Sequence, residues 1–103
     1  MIKFIEIKKI RDYNVMERKA SARFELDEIW INPANIYQIK PDLVMKENHR
    51  RGDLPSDLDA RLEFSRINYG SGSHVGAVTV VGDPEGIAEK IFNDGHEKTL
   101  LKG

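Results

Sequence analysis

The chain has no cysteine, which removes disulfides, thiolate metal sites and thiol nucleophiles together and is compatible with a reducing compartment. Neither sign of charge prevails: sixteen Lys and Arg stand against seventeen Asp and Glu, a net charge of -1. The molecule as a whole therefore has no field to steer it onto nucleic acid or an anionic membrane, and any anion site must be local. Long apolar runs are missing as well. Met1 to Ile10 is broken by Lys3, Glu6, Lys8 and Lys9, a pattern of neither a secretory leader nor a membrane span, so a cytoplasmic protein without a membrane partner is expected. No internal repeat or low-complexity tract is present. With 103 residues, 40% hydrophobic and 32% charged, the composition fits one folded domain that buries roughly two-thirds of its unfolded surface.

What the chain does have is β signal closed by a helix. Val75 to Val81 is almost continuously apolar, the mark of a central or doubly covered strand, and it runs into Gly82-Asp83-Pro84-Glu85-Gly86. Asp83 can accept from the first free amides, Pro84 suits the first helical position and Glu85 meets the positive end of the dipole. A helix is expected from Pro84, with Ile87, Ala88, Ile91 and Phe92 as its apolar stripe and Asn93-Asp94-Gly95 as its stop. His96 to Gly103 is then a fraying tail whose Leu100 and Leu101 can pack on a neighbouring subunit.

Upstream, residues 2–10 read as a strand whose apolar parity shifts between Phe4 and Ile5, through either two covered faces or a bulge. Arg11 to Lys19 reads as a polar turn or a mobile connection. Ala22, Phe24 and Leu26 alternate with Ser21, Arg23 and Glu25 as a half-buried antiparallel strand. The parity changes before Ile29 and Ile31, so Asp27-Glu28 is the expected place of a tight hairpin or bulge. Asn32 to Asn35 forms a turn or a single helical turn, and Ile36 to Lys40 a short strand ended by Pro41. Leu43 to Asp59 is expected as a long polar loop, functional or disordered. Ala60, Leu62 and Phe64 open a further strand, and Asn68 to His74 turns into the last one. The expected fold class is α+β: a small antiparallel β-sheet of about five or six strands with one C-terminal helix.

The motifs carry little chemistry. Gly70-Ser71-Gly72-Ser73-His74-Val75-Gly76 offers amides that can cradle an anion, but a strand follows it, where a phosphate loop needs a helix and Lys-Ser or Lys-Thr. His49, His74 and His96 show no metal-ligand spacing, and Asp53, Asp57 and Asp59 lack the spacing and closing Glu of a calcium loop. Ser71, Ser73 and His74 come without a nucleophile elbow. Neither a catalytic residue nor a metal nor a cofactor is expected. A constellation remains. Arg50, Arg51, Arg61 and Arg66 flank the long segment and the strand it feeds, and Trp30, Tyr37 and Tyr69 supply aromatic faces. Arginine forks grip phosphate, rings stack on bases, and the Gly70, Ser71, Gly72 and Ser73 amides can line a pocket. Each member has a plainer role as a solvated strand-face charge or a core aromatic.

The order Asn32-Pro33-x-x-Ile36, a glycine turn at Gly70 to Gly72, Val78-Thr79-Val80-Val81 and Pro84 to Ile91 resembles the small flagellar-operon FlbD-like family over roughly residues 26 to 92. That resemblance implies a short, non-enzymatic protein. By architecture the chain is also similar to phage-encoded nucleotide sponges of the Thoeris anti-defence type, which carry a small β-sheet followed by helical structure. This second resemblance implies an oligomer that sequesters a nucleotide-derived signal without cleaving it. The functional expectation is a non-catalytic homo-oligomer that binds a small anionic ligand, a cyclic nucleotide among the candidates. The alternative is a protein-interaction adaptor or regulator that docks a partner on a sheet edge or on the long segment. Nucleic acid ranks below both, because no recognition helix carries clustered basic residues.

Overall fold

The structure, a computed structural model, describes residues 1–102, apart from the side chains at 12, 14, 19–21 and 95–102. In chain order it has β1 (Ile2–Asn14), β2 (Lys19–Ile31), a single 3-10 turn (Pro33–Asn35), β3 (Ile36–Pro41), α1 (Leu43–Arg50), β4 (Phe64–Ser71), β5 (His74–Val81) and α2 (Pro84–Lys102). The five strands make one antiparallel sheet in the order β2-β1-β5-β4-β3. The α+β class is as expected, and β5 holds the central place that its apolar run implies.

Local chemistry sets several boundaries. Asn32 Oδ1 accepts from the Ala34 amide at 3.0 Å and starts the 3-10 turn at Pro33. Asp83 caps α2: its Oδ1 accepts from the Gly86 amide at 3.1 Å and its carbonyl takes the Ile87 amide at 3.0 Å.

The parity shifts have one cause, a sheet covered on both faces. One face carries Ile2, Phe4, Ile31, Ile67, Val78 and Val80 against Ile87 of α2, with Ile29, Ile39 and Ile91 alongside. The other carries Ile7 and Phe64 with Leu54, and around them Phe24, Met45, Leu58 and Leu62. Strand β1 thus gives Ile2 and Phe4 to the α2 side and Ile7 to the α1 side. The β1–β2 register runs unbroken from Ile2 opposite Ile31 to Asn14 opposite Lys19. The hairpin or bulge expected at Asp27-Glu28 does not exist: Asp27 pairs with Glu6 and Glu28 with Ile5 inside a continuous β2. Phe24 serves one face, while Ile29 and Ile31 serve the other.

Other expectations need correction. Arg11 to Asn14 belongs to β1, and the turn shrinks to residues 15–18. The long polar loop begins with a second helix, α1, whose N-cap Asp42 accepts from the Met45 amide at 2.9 Å through Oδ1. Ala60 to Glu63 is not strand. The Leu62 amide donates to the Asp59 carbonyl at 3.1 Å in a turn, and β4 begins at Phe64. Helix α2 passes through Gly95 to Lys102, since one helical glycine costs only about 1 kcal/mol relative to alanine. Its buried stripe is narrower than expected, with Ile87 buried and Phe92 exposed. The side chains of Leu100 and Leu101, expected to meet a neighbour, lie outside the described residues, as does Gly103.

The outline is long. The radius of gyration is 16.2 Å and the extents are 61 × 34 × 20 Å, where a compact domain of this length has about 13 Å. The reason is that β1 meets β5 at one pair, Glu6 with Val80. Beyond it the β1–β2 hairpin continues as an arm, residues 8–25, while β5, β4 and β3 continue as the body with α1 against them.

Candidate functional site

Three of the four arginines singled out in the sequence are held by acids close to them in the chain. Arg50, on the last turn of α1, donates through Nε to Glu47 Oε2 at 2.8 Å, and its Nη2 closes a second bond to Glu47 Oε1. Arg51, the residue that caps α1, bonds Asn48 and lies 3.4 Å from Asp53 Oδ2. Arg61 grips Asp59 through Nε at 3.2 Å and Nη2 at 2.9 Å, and its amide adds a bond of 2.8 Å. These contacts leave a mark on the acids: the Arg50 hydrogen bond holds the Glu47 carboxyl below its ordinary value, and Arg61 side chain and amide do the same for Asp59. The Arg61 side chain is 91% exposed, so its pair is solvated and weak.

Arg66 differs. It is exposed on β4 beside Thr79 of β5, and no carboxylate among the described residues pairs with it.

The rings part company with the arginines. Trp30 and Tyr69 border one shallow depression of about 240 Å³ with Met1, Ile29, Asn32 and Asn35. The Tyr69 ring lies over Gly76 across the strand pair, where an added Cβ would come 2.9 Å from its hydroxyl, so the aromatic fills the place of the missing side chain. Tyr37 borders a separate depression with Ile39, Ala88 and Ile91. Gly70 and Ser71 end β4, with Gly72 and Ser73 as the turn to β5. At Gly70, φ is +157° and a Cβ would approach the His74 carbonyl to 2.5 Å, so close backbone approach requires glycine there. The structure therefore brings Trp30 and Tyr69 together and keeps all four arginines out of their depression. Arg50 borders a different one, about 390 Å³, with Lys46, His49, Leu54 and Leu58. His49 there is structural: Nε2 meets the Asp59 carbonyl at 2.8 Å and the ring stands edge-on to Phe64.

A larger concavity, about 550 Å³, opens where the arm leaves the body. Lys8, Lys9 and Phe24 border it from the arm, and Arg66, Ala77 and Thr79 from β4 and β5, with Asp42, Met45 and Asn48 at the α1 end. Asp42 is fully engaged, Oδ1 by the Met45 amide and Oδ2 by the Thr79 hydroxyl at 2.6 Å. Lys8 lies 3.7 Å from Asp27. Lys9 and Arg66 are the cations of this cleft with no acid partner among the described residues. On the cleft side the β5 backbone has a ladder partner only at Val80, and its other edge is laddered to β4, so every second residue of β5 before Val80 turns its amide and carbonyl to the open side, where Ala77, Val78 and Thr79 line the cleft.

Of these residues the sequence reading found Arg66 alone. Thr79 is the one hydroxyl inside the apolar Val75 to Val81 run, and Asp42 stands where a cap precedes Leu43; both signals were present. Lys9 has no signal in the sequence, because only the divergence of β1 from β5 distinguishes it from other surface lysines.

Among the described residues no three His, Cys, Asp or Glu side chains gather closely enough to hold a metal ion, and no helix is long and apolar enough to cross a membrane. Neither a protein-family model nor a curated protein nor a solved structure matches this chain.

Proposed function

We propose that this chain is a non-catalytic binding protein for a small anionic ligand, and that the ligand occupies the cleft between the arm and the body. One observation carries the reading: Arg66 of β4 and Lys9 of β1, cations without an acid partner among the described residues, border the same concavity. The volume is in the range of ligand sites, and the unpaired β5 amides add donors of the kind that hold phosphate. Two carboxylates line the cleft, Glu6 and Asp42, and Asp42 is occupied by Thr79 and by the α1 cap, which favours holding a ligand over acid–base work by Asp42. In its most concrete form the role is a sponge that sequesters a nucleotide-derived signal, as the anti-defence proteins of similar architecture do.

Thermal denaturation with a panel of mononucleotides, cyclic nucleotides and inorganic phosphate tests this. At a ligand concentration about 100 times its Kd, the melting temperature of the wild type is expected to rise by about 10 °C or more. Arg66→Ala and Lys9→Ala should abolish the rise, and mass spectrometry should recover the nucleotide intact. A full shift in Arg66→Ala, or a hydrolysed product, defeats the reading. The open β5 edge favours a second reading, an adaptor that takes an extended peptide as an added strand. Stoichiometric capture of one protein, with no shift from any small molecule, would select it.

A further inference from the structure

We infer that a second copy of this chain pairs with the outer edge of β2, antiparallel and about a two-fold axis at Phe24. The subunit contact is thereby named for the homo-oligomeric part of the proposed function, and it does not depend on the anionic ligand.

Strand β2 is an edge strand of thirteen residues. It has no proline, and its pairing with β1 shows no register break. Proteins ordinarily blunt such an edge, because a long flat row of unpaired amides and carbonyls is a template for another strand. What decides the occupant is the pattern along the strand. On one face Arg23 and Glu25 flank Phe24, and Phe24 itself belongs to the other face with Ala22 and Leu26. Turning the strand about Phe24 sets Arg23 opposite the partner's Glu25, and Glu25 opposite the partner's Arg23. On the second face the two Phe24 rings meet at the axis, and Leu26, 41% exposed in the single chain, lies opposite the partner's Ala22. The overlap runs from Lys19 opposite the partner's Ile29 to the reverse pair. Arg23 and Glu25 are already 3.0 Å apart within one chain, so dimerisation closes a ring of alternating charges.

Neighbouring registers that keep the faces continuous do worse. An axis at Glu25 pairs Arg23 with the partner's Asp27 but sets two glutamates against each other at the centre, one at Arg23 sets two arginines together there, and one at Leu26 opposes Glu25 to Asp27 twice. Cross-strand pairs of opposite charge and of apolar groups stabilise a sheet, and like charges oppose it, so the charge pattern selects both the partner and the register. A self-complementary patch on a two-fold axis is the usual construction of a homodimer.

Light scattering on the full chain in micromolar solution is the test. The wild type is expected at twice the chain mass of 11.8 kDa; a mass of one chain overturns the proposal. Arg23→Glu opposes four acids at the axis and should weaken the dimer by about tenfold or more. The exchange Arg23→Glu with Glu25→Arg restores opposite charges in the Phe24 register and should restore the dimer. A single reversal that leaves the mass unchanged, or an exchange that fails to rescue it, overturns the assignment. Both side chains are about half exposed, 59% and 48%, so the variants should keep the wild-type circular dichroism. Hydrogen exchange gives a second readout: in the dimer consecutive β2 amides are protected, whereas fast exchange at every second amide refutes the pairing. Ligand binding enters none of these measurements, so failure here leaves the cleft assignment standing and the converse also holds.

Discussion

Strand β3 closes one edge of the sheet in six residues, with a register shift between Ile36 and Gln38, exposed Lys40 and terminal Pro41; β2 holds the other edge for thirteen residues without any of these breaks. The devices on β3 are the ones that stop strand addition: brevity, a bulge, a lysine and a proline that cannot donate. On β2 the only restraint is charge, and its charges match a rotated copy of themselves. The two edges share one ladder yet face opposite prospects, so exposure to association is set strand by strand and by the identity of the partner.

The edges also differ in what lies behind them. Ile39 of β3 packs on the α2-side core, whose centre includes the fully buried Ile67 of β4. The arm end of β2 is held by its ladder to β1, and Tyr13 opposite Ala20 is 63% exposed. Ile67→Ala is therefore expected to cost about 2–5 kcal/mol, through lost transfer energy and the cavity left behind. Tyr13→Ala should cost less than about 1 kcal/mol. Urea denaturation of both variants measures the contrast directly, and equal losses would mean that the arm is as tightly integrated as the body.

A smaller effect concerns how the end of β3 is fastened. Asp42 follows Pro41 at once, donates its amide to the Phe64 carbonyl at 2.8 Å, caps α1 and accepts from Thr79. Asp42→Ala removes the cap and strands the Thr79 hydroxyl, for an expected loss of about 1–3 kcal/mol. Thr79→Val removes one of the same bonds from the other side, so the double variant should lose less than the sum of the single ones. Strict additivity would show that the Asp42–Thr79 bond contributes nothing. The β2-mediated dimer should keep its mass in both variants, which separates the two edges experimentally.

How much of this was legible follows from which interactions are local. The start of α2 was readable because Asp83, Pro84 and Gly86 act on one another within a turn. The 3-10 turn at Pro33 was readable for the same reason. The parity shifts at Phe4/Ile5 and at Asp27-Glu28 were visible, but a strand that switches its buried face looks in sequence like a strand that stops, and only the covering elements on both sides decide between them. Helix α1 was hidden by its charge, since Lys46, Glu47, His49 and Arg50 fill a one-sided helix that buries little. Its signal was Asp42 at the cap with His49 and Arg50 in the last turn. For the site, nearness in sequence misled. Arg50, Arg51 and Arg61 each have an acid within three residues, Glu47, Asp53 and Asp59, so local pairing consumed the groups that seemed to converge. Lys9 and Arg66 are brought to one cleft by topology alone.

The local ion pairs supply the last and smallest test, placed on α1 and the segment after it beside the β3 edge. In the folded chain Glu47 and Asp59 have pKa values below their ordinary ones, because Arg50 and Arg61 hydrogen-bond their charged forms. A carboxylate depressed in this way adds stability that is fully present above its unfolded value, near about pH 4, and is lost as pH falls through the lower folded value. Stability should thus decline on the acid side of about pH 4, with these two groups giving a slight part of the decline because both are solvent-exposed. In Glu47→Gln with Asp59→Asn that part is gone, so urea midpoints recorded from neutral pH down into the acid limb should fall a little less steeply than in the wild type. Arg50→Gln with Arg61→Gln should flatten the limb equally, since it removes the same interaction from the other partner. If the acid limb is unchanged in both double variants, solvent and salt have already cancelled the pairs, and the β3 side is held at its surface by Asp42 without their help.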